Sequence, residues 1–148
     1  MEEIIKKLIE FKSHNDVELP VNLDEIKDFE LENNLQLPFE LKKIYQKFDG
    51  GEILIPGPQI FGLRNSKKRE NLKEANSRKI RNNFSIPKNY LIIAKLNYGD
   101  YICINLNKPF DIIQWDHEND QPFCTWNSLK EWLNDNIDSF EKFEDQTS

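Results

Sequence analysis

The sequence predicts an α+β domain: a mainly antiparallel sheet of about four to six strands with helices packed on one face. Three observations carry this. Helix-period segments fill most of residues 1–48, and another closes the chain after residue 128. Strand-period segments separated by turn residues occupy the middle. At 148 residues, with 38% hydrophobic and 11% aromatic content, the chain can bury one core, so residues 1–148 read as a single domain.

Met1 to about Lys12 reads as a helix, with Ile4, Ile5, Leu8, Ile9 and Phe11 on one broad face. Ser13 to Pro20 is a polar connection. Asn22 and Glu25 have capping-box spacing and open a second helix that runs out near Asn33-Asn34. LPFELKKIYQKFDGG holds a third helix, Pro38 to Phe48. Leu41, Ile44, Tyr45 and Phe48 form its apolar stripe and Asp49-Gly50-Gly51 its stop. Glu52–Pro56 and Gln59–Leu63 read as short strands around a Pro-Gly-Pro bend. Residues 64–85 carry a thin apolar stripe among many charges and read as a solvated helix or a mobile loop.

Tyr90–Leu96 and Tyr101–Leu106 form a hairpin, with Gly99 in the turn. Ile112–Trp115 is the next strand, and Pro122–Trp126 is a short edge strand or irregular. Ser128 and Glu131 again have capping-box spacing. Leu129, Trp132, Leu133, Ile137 and Phe140 mark a closing amphipathic helix, with a frayed tail after about Phe143.

The net charge is −6 and the mean hydropathy −0.72. The charge is uneven. From Arg64 to Lys88 nine basic residues face two acidic ones, while from Asp111 to Ser148 ten carboxylates face two lysines. Such a chain is a poor nucleic-acid binder as a whole and a plausible binder of a basic protein. The role of the basic segment 64–88 stays open. MEEIIKKLIEFK is amphipathic rather than a signal peptide, and no stretch has the ~20 apolar residues of a membrane span. The expectation is a cytoplasmic protein. Cys103 and Cys124 form no CxxC and read as reduced, buried thiols.

Chemistry-bearing motifs are sparse. Asp116-His117-Glu118 invites a metal or general-base reading. Neighbouring strand residues point to opposite faces, however, so the favoured reading is a polar strand-end turn. No nucleophile elbow, phosphate loop or cofactor fingerprint is present, so no catalytic residue, cofactor or metal is assigned. Trp115 and Trp132 read as core anchors. Trp126 reads first as core, and alternatively as a partly exposed anchor for a partner.

LPFELKKIYQKFDGG, with Tyr90-Leu91, Gly99-Asp100, YICINL, IIQWDHE and Trp132-Leu133 following in order, resembles the SUKH superfamily over roughly Leu23 to Ile137. The resemblance implies a non-catalytic α+β protein. In bacteria such proteins are mostly immunity proteins that neutralise polymorphic or contact-delivered toxins, and the fungal members regulate cell-wall assembly. It implies a cognate toxin effector domain as partner, possible nucleases included, without membrane or direct nucleic-acid binding. The alternative is a regulatory scaffold or small-ligand-binding module. The superfamily shares no single binding surface, so Asp116, Glu118, Asp120 and Trp126 are partner-contact candidates on their own chemistry: clustered carboxylates plus an aromatic anchor.

Overall fold

A computed structural model describes residues 1–147; Ser148 lies outside the described residues. Helix α1 (Glu2–Glu10) buries Ile5 and Leu8. Helix α2 (Leu23–Glu32) starts with the full capping box: Asn22 accepts from the Glu25 N–H, and Glu25 accepts from the Asn22 N–H. Helix α3 (Phe39–Tyr45) is shorter than its sequence pattern, with Pro38 as an extended N-cap. Helices α4 (Leu72–Ala75), α5 (Arg78–Phe84) and α6 (Leu129–Thr147) complete the set.

Seven strands follow one another across the sheet in chain order, each antiparallel to the next. They are β1 (Asp16–Val17), β2 (Gly51–Glu52), β3 (Gln59–Ile60), β4 (Tyr90–Lys95), β5 (Tyr101–Asn105), β6 (Ile112–Asp116) and β7 (Gln121–Trp126). The fold is α+β, with one strand more than the expected range. The extra strand is β1, whose two exposed residues carry no alternating pattern that could announce it. β7 is a six-residue outer strand whose pairing with β6 shifts register once, between Gln114 and Trp115.

Strand alternation places Ile102, Ile104, Ile112 and Gln114 on the front of the sheet, and Tyr101, Cys103, Ile113 and Trp115 on the back. Helix α6 covers the front with buried Trp132, Leu133 and Ile137, each worth about 1.5–3 kcal/mol of transfer free energy. Helices α1 and α3 pack on α6. The back is covered too, by the basic segment, which is neither one solvated helix nor a loop. It forms α4 and α5, opened by Asn71 and Ser77 caps. The Trp115 indole donates to the Phe84 carbonyl at 2.7 Å, and the Phe84 ring leans on Tyr101. Arg81 donates to the carbonyls of Pro87 and Tyr90 and to the Asn76 side chain. Arg64 pairs with Glu25, and Lys68 and Arg69 pair with Asp16. Much of the positive charge is therefore spent holding this cover in place.

Two other readings change. EILIP pairs as a strand only through Glu52. The Leu54 N–H is taken by the Asn15 side chain and the Ile55 N–H by the His14 carbonyl, and Leu54 has φ +52°. The tail is helical to Thr147 instead of fraying after Phe143. Here α1 braces α6, through Lys7–Glu141 at 2.8 Å and Phe11 edge-on to Phe140.

Asp49-Gly50-Gly51 forms a corner where α3 hands over to the sheet. The buried Asp49 carboxylate accepts from the N–H groups of Leu63 (2.6 Å) and Arg64 (3.1 Å). Burial pushes its pKa up, and the two N–H bonds oppose that rise. Gly50 and Gly51 have φ +76° and +125°. A Cβ on Gly50 would sit 2.5 Å from Gly62 N and Ile60 O, and one on Gly51 2.3 Å from Asp16 O. Alanine at either position therefore meets both strained backbone and main-chain overlap. We expect Gly50→Ala to cost about 3 kcal/mol or more, a fall on the order of 10 °C in Tm by calorimetry. A loss under ~1 kcal/mol contradicts this account.

Candidate functional site

The sequence candidates lie on the β6–β7 hairpin, at its two ends. Asp116 closes β6 opposite Gln121, and Glu118 and Asp120 lie exposed in the turn. Trp126 pairs with Ile112 at the other end, four residues or ~13 Å along the strand. The structure thus groups three of the four and sets Trp126 apart. Trp126 is half-buried, not core, and its indole N–H donates to Asp135 of α6 at 3.2 Å. Phe123, three residues earlier on β7, is 69% exposed.

Asp116 organises the turn. Its carboxylate accepts from the N–H groups of Glu118 and Asn119 and from the Asn119 amide. The Asn119 amide, then the Glu118 N–H, holds its pKa below the usual value. Asp120 adopts φ +53°, a conformation short polar side chains tolerate.

Behind the turn lies a polar network that sequence reading did not find. Asp100, at the end of the β4–β5 turn, is buried. It accepts from the Gln114 amide at 2.8 Å, from the His117 N–H at 3.1 Å, and from His117 Nδ1. Gln114 also donates to the Tyr98 hydroxyl at 2.9 Å. The network ties the β4–β5 turn to the β6–β7 turn and fixes where the acidic groups stand. Burial alone would raise the Asp100 pKa, but the bonds from Gln114 and His117 outweigh it and hold the carboxyl below its ordinary value. The clue in the sequence was a Tyr-Gly-Asp turn next to an inward-facing glutamine, which needs partners when buried.

Asp100, Asp116 and His117 bring ligand-type atoms within 4.8 Å of one another. Two adjacent residues do therefore converge, with Asp100 in place of Glu118. The four carboxylate oxygens already hold hydrogen bonds, so a divalent cation would have to compete with the bonds that shape both turns. Neither cysteine is poised for chemistry. Burial pushes the Cys103 thiol up to about 12, and burial with the fields of Asp135 and Asp100 pushes Cys124 up. Both are free thiols, on opposite faces of the sheet, and Cys124 is half-buried rather than core.

Around this network the surface is acidic and carries exposed rings, Tyr98 among them at 61%. No helix among the described residues is long and apolar enough to cross a membrane.

Fold and site together define a small α+β domain whose meander sheet presents an acidic, aromatic-bearing surface beside its last hairpin. The chain belongs to the SMI1 / KNR4 family (SUKH-1), whose sequence model matches residues 20–135. That span includes the Asp49-Gly50-Gly51 corner, the Asp100 network and the start of α6. Comparison with curated proteins gives no match.

Because the Asp100 pKa is depressed, its stabilising contribution is complete above the unfolded value of ~4 and is lost as pH falls through the folded value below it. Asp100→Asn should cost about 1–3 kcal/mol at pH 7. In urea titrations its deficit relative to wild type should narrow at pH 3. A deficit unchanged with pH removes Asp100 as the titrating hub.

Proposed function

We propose that this protein is an immunity protein that binds the effector domain of a cognate toxin in the cytoplasm and blocks its active site or substrate channel. Membership of the SMI1 / KNR4 family supports the reading, because the resemblance to SUKH proteins implies toxin neutralisation in bacteria. The observation that carries it is the surface itself. Residues 111–148 set ten carboxylates against Lys130 and Lys142, and exposed aromatic groups stand among them. Acidic groups draw in a basic effector domain, of the kind a nucleic-acid-directed toxin has, and a few aromatic anchors hold the complex. The contacts are Asp116, Glu118 and Asp120 for encounter and Trp126 for anchoring. The protein performs no chemistry of its own in this role.

A second reading, a regulatory scaffold or small-ligand module, draws on a cavity of ≈ 260 Å³ between α6 and the sheet. It expects partners unrelated to toxins.

The test is titration with the purified effector domain of a toxin gene found next to this one, together with co-expression protection. We expect saturable 1:1 binding that weakens about tenfold or more between 50 and 500 mM salt. Glu118→Gln with Asp120→Asn should slow association about three- to tenfold and leave dissociation nearly unchanged. Trp126→Ala should speed dissociation and cost about 2 kcal/mol or more. No binding and no protection would defeat the proposal.

A further inference from the structure

Between the front of the sheet and α6 runs a groove that no motif announced. Its polar half, ≈ 260 Å³, is lined by Tyr98, Gln114, Trp126, Asp135 and Asn136, with Pro56–Pro58 as the opposite wall. Across the shared Pro56, Gly57, Pro58, Asn136 and Ser139 it continues into an apolar hollow of ≈ 230 Å³ beside Leu54 and Phe140.

The chemistry of the polar half is one-sided. Among the described residues Asp135 is exposed, accepts a hydrogen bond from the Trp126 indole N–H, and pairs with no lysine or arginine. Gln114 is 6% exposed, and among the described residues its carbonyl oxygen accepts only from the Cys124 thiol, at 3.5 Å, so acceptor capacity remains there. The negative field is felt by the neighbours: after burial, Asp100 raises the Tyr98 hydroxyl, and Asp135 and Asp100 raise the Cys124 thiol. Among the described residues no cationic one lines either half. A cation with flat faces and several donors fits this setting. Guanidinium matches a carboxylate with a two-pronged fork and stacks on aromatic rings, which an ammonium group does less well. The adjoining apolar hollow favours a side chain carried on a polypeptide over a free ion.

We propose that this groove receives an arginine side chain of the partner protein, its guanidinium held by Asp135 between the Trp126 and Tyr98 rings, with a neighbouring apolar residue of the partner in the hollow beside Phe140. The proposal rests on the partner-binding reading above and names the chemistry of the contact. Its deciding test is titration with an arginine derivative and not with the toxin, so the two can fail separately.

The probe is Nα-acetyl-arginine methylamide, titrated into the isotope-labelled 148-residue chain while the Trp126 indole N–H is followed by NMR. That N–H is bonded to Asp135 and so reports on the carboxylate directly. We expect a saturable shift with a Kd on the order of 1–50 mM, as suits one exposed charged contact. The uncharged, near-isosteric citrulline derivative should leave the indole signal unmoved. Asp135→Asn should weaken arginine binding about fivefold or more while the remaining amide spectrum stays native. The proposal is overturned if citrulline moves the indole as far as arginine does. It is equally overturned if arginine produces no saturable shift, or if Asp135→Asn leaves the affinity unchanged. Toxin binding that persists in Asp135→Asn, beside a silent arginine titration, would remove the groove and leave the immunity reading standing.

Discussion

The structure turns on one close approach of main chain to main chain, at Gly50 and Gly51. There the end of α3, the two-residue strands β1 and β2, and the loop through Gly62 meet with no room for a side chain. Asp49 fills the remaining need by accepting two N–H groups that no strand partner serves. Tyr45, fully buried one turn earlier, donates its hydroxyl to the Phe61 carbonyl at 2.6 Å. The short strands β1 to β3 have too few ladder bonds to hold themselves, and this corner fixes their register. Everything downstream, from β4 to α6, is laid onto an edge that the corner defines.

The second constraint is that the sheet is apolar on both faces. Strands β4 to β6 bury nearly every residue, so a helical layer on the front alone would leave Tyr101 and Trp115 in water. The segment from Arg64 to Lys88 meets that need with little apolar surface of its own. It uses Leu72, Ala75, Phe84 and Ile86 for contact and arginines for attachment. Arg81, half-buried, has its pKa lowered by burial and is satisfied by carbonyls rather than a carboxylate. This is why the segment looks like solvated surface when read as sequence.

Legibility followed the range of the forces involved. The α2 capping box, the amphipathic face of α6 and the hairpin turning at Gly99 depend on residues a few positions apart, and the pattern shows them. The family resemblance was likewise carried by local patterns, the LP helix with its double glycine and the strand order after Tyr90. What stayed hidden depends on distant partners. The Leu54 N–H goes to a side chain 39 residues away, which no strand pattern in EILIP reveals. Asp100 and His117 meet across two hairpins, and Trp126 meets Asp135 from the next helix. The acidic character of the candidate surface was readable from composition, but its geometry was not: Trp126 stands at the far end of the hairpin from the carboxylates once grouped with it.

The two helical covers carry opposite signs, cationic α5 behind the sheet and anionic α6 in front. The molecule is therefore a built-in electric dipole running through the thickness of the sheet. In the field of a strongly basic protein, such a dipole swings its α6 side forward before the surfaces touch, so approaches from behind are turned away. Recognition would then begin with the molecule's heading, ahead of any fit between side chains.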